Sequence, residues 1–311
     1  MTPFAIAGIQ MHVAAGQSNV DGIRARLNSL MNIYPWVQMV MLSELAPCGP
    51  LPTAAQTLPG GAENALAEMA ARHKIWLVTG SIYERSNDKR IYNTASVIDP
   101  NGIVVGRYRK MFVFEPYEKG VAAGNEFFVF DVPNAGRFGI TICYDTWFPE
   151  VTRTLVGMGA EVILRPTLTS TIDRDVELSI VRAMAATNQC YLFDINGLGA
   201  GGNGRSLVCD PHGKVLHQAG SGEELIPLEI DFDEVRRSRE RGIMTLGQPL
   251  KSFRDRSVEF PIYQPGARSP YLDSLGPLQK PTRIHENASA NEAAVAPPLF
   301  AGTPPPVNTT G

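Results

Sequence analysis

Cys143 stands between an apolar run and a segment that predicts a helix. Residues 137–142 read RFGITI, and residues 144–150 read YDTWFPE. A thiol at such a turn would lie over the positive end of a helix, where a thiolate is stabilised and can act as a nucleophile. A lone cysteine is more often a small buried apolar residue. Other segments of the chain must therefore decide between these two interpretations.

Two such segments place charged residues just after apolar strands. Residues 40–45 read VMLSEL, so Glu44 follows a predicted strand. Residues 108–118 read YRKMFVFEPYE, so Lys110 follows another strand and Glu118 comes eight residues later. Glu44 and Lys110 could form an ordinary salt bridge at a sheet edge, and Glu118 could be a solvated loop carboxylate. Together with Cys143, however, they supply the base, cation and nucleophile that acyl transfer to a thiol requires.

The set Glu44, Lys110 and Cys143 resembles the Glu-Lys-Cys set of the nitrilase superfamily of carbon–nitrogen hydrolases. The resemblance covers residues 4 to about 260, and the stretches around Lys110 and Cys143 carry it. It implies that Cys143 attacks the carbon of an amide or nitrile. Lys110 and the backbone N–H after Cys143 would hold the oxyanion, while Glu44 would move protons. Glu118 would accept a hydrogen bond from Lys110 and help to position the substrate.

The residues around the nucleophile indicate a branch of this superfamily. Nitrilases usually carry Trp-Glu after the cysteine, where this chain has Tyr144 and Asp145. The D-carbamoylases place arginines shortly after it, where this chain has Thr146 and Trp147. Residues 159–165, which read GAEVILR, are similar to aliphatic amidases and formamidases, although their residues just after the nucleophile differ. Another departure from the superfamily is Ser43, which stands where a proline is usual before the first glutamate.

This resemblance implies an amidase that hydrolyses a non-peptide carboxamide to a carboxylic acid and ammonia through a cysteine thioester. An N-carbamoyl amide hydrolase or a nitrilase with the same three residues is the alternative. A binding protein that kept the fold is a third possibility, against which the intact set argues. Candidate substrate-binding residues lie near the nucleophile and the next strand end, and packing explains each almost as well: Tyr144, Trp147, Thr167 and Thr169.

Strands and helices alternate along the chain in two similar halves, each with a hairpin. The hairpin turns fall at residues 99–102 and 210–213. This order predicts an α/β protein of two packed sheets with helices outside, and the resemblance implies a four-layer αββα sandwich with a C-terminal extension. We expect a hydrolase domain over residues 1–263. Residues 264–311 are rich in Pro, Ala, Gly, Asn and Thr, which predicts a disordered tail.

Composition argues against several other classes of function. A formal charge of −3 leaves no electrostatic footprint for nucleic acid. The four cysteines form no C-x-x-C pair, so we expect neither a metal site nor disulfides, and the chemistry needs no cofactor. No signal peptide or membrane-spanning run is visible, which predicts a cytoplasmic protein without membrane partners. Residues 197–202 fit G-x-G-x-x-G, but a strand rather than a helix is predicted after them, which argues against a dinucleotide site.

Self-association is expected through two predicted helices. Residues 149–158 carry few charges, and residues 175–188 combine apolar residues with small ones. Such faces suit a second helix layer from another subunit, and the resemblance implies the same dimer. The expected partners are therefore a small-molecule amide and further copies of this chain, as a dimer or higher oligomer.

Overall fold

The computed structural model describes residues 1–280. The chain divides into two compact units, the first made of residues 1–113 and 120–254, the second of residues 114–119 and 255 onward. The predicted boundary at residue 263 falls inside the second unit. Residues 264–280 are mostly exposed and include one short helix, whereas the rest of the predicted tail lies outside the described residues.

The first unit contains all of the strands found among the described residues. They are β1 (Pro3–Gln10), β2 (His12–Val13), β3 (Met39–Leu42), β4 (Trp76–Val78), β5 (Ile82–Arg85), β6 (Ile91–Ile98), β7 (Val104–Arg109), β8 (Val121–Ala122), β9 (Val129–Val132), β10 (Gly136–Ile140), β11 (Val162–Thr167), β12 (Tyr191–Asn196), β13 (Leu198–Gly199), β14 (Gly202–Asn203), β15 (Leu207–Cys209), β16 (Val215–Gln218) and β17 (Glu224–Asp231).

The α-helices include the two that the sequence predicts at residues 149–158 and 175–188. In the first unit they are α1 (Val20–Ile33), α2 (Gly61–His73), α3 (Pro149–Gly157), α4 (Arg174–Asn188), α5 (Phe232–Arg241) and α6 (Pro249–Arg254), and in the second unit α7 (Pro270–Asp273). Short 3₁₀ helices span Pro52–Ala54, Cys143–Trp147 and Pro261–Tyr263. Within residues 1–280, none of these helices is both long and apolar enough to cross a membrane.

Two large sheets form the centre of the first unit. The first has the order β17-β1-β3-β4-β6-β5, with β7 and β8 also paired to β6. The second has the order β16-β15-β12-β11-β10-β9. The strands β1, β3 and β4 run parallel, as do β10, β11 and β12, and antiparallel strands flank each set. Strands buried on both faces are expected to be continuously apolar, as β1, β3 and β11 largely are.

The apolar core has three main layers, and these confirm the α/β sandwich. The central cluster joins the facing sides of the two sheets, for example Ile6 and Met41 with Leu164 and Phe193. A second cluster buries α1 and α2 against the first sheet, and a third buries α3 and α4 against the second. The layers therefore follow the order helix, sheet, sheet, helix, the αββα sandwich that the sequence resemblance implied.

The glycine-rich segment 197–202 forms no helix. It contributes the short strands β13 and β14, which pair with each other and with β2. A dinucleotide site of the predicted motif would require a helix N-terminus directly after the glycines. The segment is instead a tight connection, in which a side chain at Gly197 would collide with Ser43 Oγ and Gly201 O.

Candidate active site

Glu44 and Lys110 form a buried ion pair where two strands of the first sheet end. Lys110 directly follows β7, and Glu44 follows β3 by two residues. Lys110 Nζ donates to Glu44 Oε1 at 2.9 Å, and Asn93 Nδ2 of β6 donates to the same oxygen at 2.7 Å. Glu44 is 2% and Lys110 1% exposed. Each charge therefore compensates the other in an environment where a single charge would be costly.

The backbone of Glu44 connects the two sheets. Its N–H donates to Thr167 O at the end of β11 with a length of 3.2 Å. The strands β3 and β11 belong to different sheets, so this bond fixes one strand end against the other. The carboxylate of Glu44 is thereby held on the side of the site where the second sheet supplies Cys143.

Cys143 adopts a backbone conformation that L-amino acids rarely use. Its φ is +45°, and it begins the 3₁₀ helix Cys143–Trp147 that precedes α3. A non-glycine residue in this region costs on the order of 1–3 kcal/mol and persists only where its surroundings hold it. Its Sγ lies 3.7 Å from Leu168 O and 3.9 Å from Thr169 Oγ1, and the residue is 7% exposed.

The electrostatics of Cys143 correct one expectation from the sequence. A helix end was expected to stabilise a thiolate, but the pKa of the Cys143 thiol is raised well above its usual range. Burial is the largest cause, and the negative charge of Glu44 adds to it, while Lys110 opposes both. Cys143 begins a five-residue 3₁₀ helix rather than an α-helix, whose N-terminus would favour a thiolate more strongly. A raised pKa favours the thiol over the thiolate, so a base beside Cys143 would assist its reaction as a nucleophile.

Asp145 ties the nucleophile turn to the strand end that carries Lys110. Its carboxylate accepts hydrogen bonds from Tyr108 Oη at 2.7 Å, Phe112 N at 2.8 Å and Ile142 N at 2.8 Å. Burial raises the pKa of Asp145, and the backbone donors act in the opposite direction. This residue was part of the sequence motif, but no role was predicted for it. Its sequence signal was its position two residues after Cys143, in the stretch YDTWFPE.

Behind Cys143 lies a buried ion cluster of two arginines and two carboxylates. Arg165 Nη1 is 2.7 Å from Asp194 Oδ1, and Arg165 Nη2 is 3.0 Å from Glu177 Oε1. Arg174 completes the cluster, with Nη2 at 2.7 Å from Asp194 Oδ2 and Nη1 at 3.1 Å from Glu177 Oε2. None of the four is more than 3% exposed. Two positive and two negative charges therefore balance in the interior.

The charges within the cluster outweigh the effect of burial. Burial alone would lower the pKa of Arg165, but Asp194 and Glu177 raise it above its ordinary value. Burial alone would raise the pKa of Asp194, but Arg165 and Arg174 lower it. Both groups therefore stay ionised. In the sequence, the signal for this cluster is the presence of Arg165 and Asp194 inside apolar strands. In the structure, the two residues lie directly opposite each other in the β11–β12 register.

The four candidate substrate-binding residues lie around the nucleophile turn with different contacts. Thr167 Oγ1 donates to Asp194 at 2.6 Å, and Thr169 Oγ1 donates to Glu177 at 2.7 Å, so both hydroxyls bond to the ion cluster. Trp147 Nε1 also donates to Glu177, at 3.3 Å. Tyr144 is partly exposed and packs edge-on against Phe148, with ring centroids 5.3 Å apart. Binding of substrate by these residues stays a prediction.

Glu118 lies in the second unit. Its carboxylate accepts a hydrogen bond from Phe114 N at 2.7 Å, and its own N–H donates to Phe114 O at 2.9 Å. These bonds close a turn of the segment 114–119. The predicted interaction of Glu118 with Lys110 therefore stays a prediction.

The described residues contain no group of three or more His, Cys, Asp or Glu side chains arranged to hold a metal ion. All four cysteines, at positions 48, 143, 190 and 209, are free and buried.

The chain is similar in sequence to a known family of enzymes. The family model for carbon–nitrogen hydrolases matches residues 6–240. The chain belongs to the carbon–nitrogen hydrolase family. This match includes the strand ends that carry Glu44, Lys110 and Cys143, and it confirms the resemblance to the nitrilase superfamily.

Relatives of this carbon–nitrogen hydrolase are amidases. Deaminated glutathione amidase of Dictyostelium discoideum is 32% identical over 58% of this chain and 69% of its own length. Omega-amidase NIT2 of Homo sapiens is 27% identical over 78% of this chain and 93% of its own length. The crystal structure of Nit3 from Saccharomyces cerevisiae, a member of branch 10 of the nitrilase superfamily, superposes with a TM-score of 0.71 at 25% identity, over 76% of this chain and 93% of Nit3. The protein is thus an amidase-type carbon–nitrogen hydrolase.

Proposed function

We propose that this enzyme hydrolyses a linear, non-peptide carboxamide to a carboxylic acid and ammonia through a thioester on Cys143. The observation that carries the proposal is the buried Glu44–Lys110 pair, whose two charges both act on the Cys143 thiol. A base, a cation and a nucleophile at neighbouring strand ends are the components that this reaction needs.

The first half of the reaction forms the acyl-enzyme. Glu44 takes the proton from the Cys143 thiol as the sulfur attacks the amide carbon, and the carbonyl electrons move onto oxygen. Lys110 Nζ and the backbone N–H of Tyr144 hold the resulting oxyanion. When the tetrahedral intermediate collapses, Glu44 passes its proton to the departing nitrogen. Ammonia leaves, and the acyl group stays on Cys143 as a thioester.

The second half returns the enzyme to its starting state. Glu44 takes a proton from a water molecule, which attacks the thioester carbon, and the same two donors hold the second oxyanion. The carbon–sulfur bond breaks, Glu44 returns the proton to sulfur, and the carboxylic acid leaves. The raised pKa of Cys143 favours this return, because a basic thiolate readily takes up a proton.

The acyl group is best sought among small carboxamides. Two of the relatives are named deaminated glutathione amidase and omega-amidase, which supports testing half-amides of dicarboxylic acids beside short aliphatic amides. The aromatic groups of Tyr144, Trp147 and Phe148 flank the nucleophile turn and suit contact with an acyl chain. The free, buried cysteines suit the reducing cytoplasm as the site of action.

The decisive experiment measures ammonia release by the wild type and by Cys143→Ala. We expect the wild type to release ammonia from at least one amide of a panel that also contains nitriles and N-carbamoyl amino acids. Cys143→Ala should stay folded by circular dichroism and lose turnover by at least about 10³-fold. Mass spectrometry of the wild type with a slow amide should show the acyl adduct on Cys143.

The same panel separates the alternatives. Carbon dioxide released together with ammonia would indicate an N-carbamoyl hydrolase, and ammonia from nitriles would indicate a nitrilase. Cys48→Ala serves as the matched control, because that cysteine is also free and buried and its loss should leave turnover intact. Substantial ammonia release by Cys143→Ala would exclude the covalent route.

A further inference from the structure

Arg165 holds the carbonyl oxygen of the nucleophile itself. Its Nε donates to Cys143 O at 3.0 Å, while its two terminal nitrogens bind Asp194 and Glu177. Arg165 lies within β11 and is 1% exposed. All three guanidinium nitrogens are therefore engaged, one of them with the backbone of the nucleophile turn.

The bond from Arg165 to Cys143 O also restrains the N–H of Tyr144, because both groups belong to the same peptide. A trans peptide is planar, so its C=O and its N–H point in opposite directions. A bond that fixes Cys143 O therefore also fixes the direction of the Tyr144 N–H. The φ of +45° at Cys143 makes such a restraint important, because a residue in this region keeps its conformation only where its surroundings hold it.

We propose that Arg165 is a positioning residue that aims the Tyr144 N–H at the developing oxyanion. The inference rests on the proposed function, in which this N–H is one of two oxyanion donors. Arg165 touches neither the substrate nor the sulfur in this scheme. It acts only through the peptide that it holds.

The buried ion cluster explains how Arg165 can serve as a rigid support. Asp194 and Glu177 hold the guanidinium from two sides, and Arg174 holds both carboxylates in turn. A guanidinium group has a planar fork with fixed donor directions, whereas an ammonium group is a single charged point. Lysine at this position could keep one ion pair but could not reproduce all three bonds.

The test separates oxyanion stabilisation from nucleophilicity. Arg165→Lys and Arg165→Met are compared with the wild type in three measurements: kcat and KM for the best amide, inhibition by propionaldehyde, and the rate at which methyl methanethiosulfonate modifies Cys143. Propionaldehyde adds to a thiol to give a hemithioacetal, whose oxygen occupies the oxyanion position. Disulfide formation with the thiosulfonate develops no such oxyanion, so it reports on the thiol alone.

We expect kcat to fall on the order of 10²-fold in both variants, with KM changed by less than about threefold. Inhibition by propionaldehyde should weaken in parallel, while modification of Cys143 should stay within about threefold of the wild type. If Arg165→Met does not fold, Arg165→Lys carries the test because it keeps a positive charge between Asp194 and Glu177. Arg239→Met is the matched control, since Arg239, like Arg165, donates to the backbone, here to the carbonyls of Gln189 and Ala160.

An unchanged kcat in Arg165→Lys would overturn the inference. So would an equal loss of kcat, aldehyde inhibition and thiol modification, because that pattern indicates a general collapse of the site. An equal loss of kcat in Arg239→Met would show that any such arginine matters only for folding. Failure of the proposed function gives a different result, namely a folded wild type that releases ammonia from no amide.

Discussion

Burial and two charges with opposite effects together set the direction in which the pKa of Cys143 is shifted. Glu44 raises the pKa of the thiol and Lys110 lowers it, on top of the larger effect of burial. A thiol that stays protonated at rest avoids unproductive oxidation, since the thiolate is the reactive form. In the proposed mechanism, attack begins when Glu44 removes the proton.

This balance predicts that two inactive variants differ in the reactivity of their thiols. Glu44→Gln removes the negative charge that raises the pKa of Cys143, so the pKa should fall and the thiolate fraction at neutral pH should rise. Lys110→Met removes the opposing positive charge, so the pKa should rise further. Each unit by which the pKa falls increases the thiolate fraction about tenfold. Modification of Cys143 by methyl methanethiosulfonate as a function of pH measures both changes.

Turnover should fall in both variants, on the order of 10²–10⁴-fold. Glu44→Gln should therefore react faster with the thiosulfonate than the wild type at neutral pH although it scarcely hydrolyses amides. His73→Ala is a suitable control, because His73 ends α2 and bonds to Asn28. Wild-type turnover in Glu44→Gln would require another base to be sought.

At the scale of elements, Asp145 is the main polar brace of the nucleophile turn. It accepts bonds from the hydroxyl of Tyr108 and from the backbone N–H groups of Phe112 and Ile142. In Asp145→Ala these buried donors would lose their acceptor, at a cost of about 1–3 kcal/mol for each. We expect the free energy of unfolding to fall by at least about 3 kcal/mol in urea denaturation.

Asp131→Ala is the control for this prediction. Asp131 is also a hydrogen-bond acceptor, with Arg137 as its donor, but its side chain is 66% exposed. Its loss should change the free energy of unfolding by less than about 1 kcal/mol. Similar losses in Asp131→Ala and Asp145→Ala would contradict the assignment of Asp145 as a brace.

Strands, helices and hairpins could be predicted from the sequence because the spacing of their apolar residues is a local property. The hairpins β6–β7 and β15–β16 and the helices α3 and α4 lie where the sequence pattern predicts them. The ends of β3 and β7 could likewise be predicted, and with them the positions of Glu44 and Lys110. The pKa of Cys143 could not be predicted from the sequence, because it depends on burial by segments that are distant along the chain.

The buried ion cluster shows a second limit of prediction. A charged residue inside an apolar strand needs a partner of opposite charge. Arg165 in β11 and Asp194 in β12 are such partners, and they could be matched once the two strands are aligned in parallel. Glu177 and Arg174 lie on α4, and nothing local indicates that this helix turns them inward toward the nucleophile. Their contacts depend on how α4 packs against the second sheet.

At the scale of the whole molecule, the surface of α3 and α4 bears on self-association. Val181 and Ala185 of α4 are buried in the monomer, whereas Val176 is 50% exposed. Met158, which follows α3, is 40% exposed. The monomer's own sheet thus uses one side of these helices, and apolar side chains remain on the other.

We predict that the chain forms a stable dimer through this exposed side at micromolar concentration. Val176→Asp should weaken the dimer in light scattering, because it places a charge in an apolar contact. Ile33→Asp is the matched control, since Ile33 ends α1 on the opposite helix layer and is 61% exposed. A stable, fully active wild-type monomer would contradict the prediction.

The candidate site is divided between two sheets, and this limits which parts of the protein could be transferred to another scaffold with the site intact. The first sheet carries Glu44 and Lys110, and the second leads into Cys143. Neither half of the sandwich holds a complete set, so a module transplanted alone into another scaffold would bring either a thiol without its base or an ion pair without a nucleophile. Selection for hydrolysis by this route can therefore act only on the two sheets together.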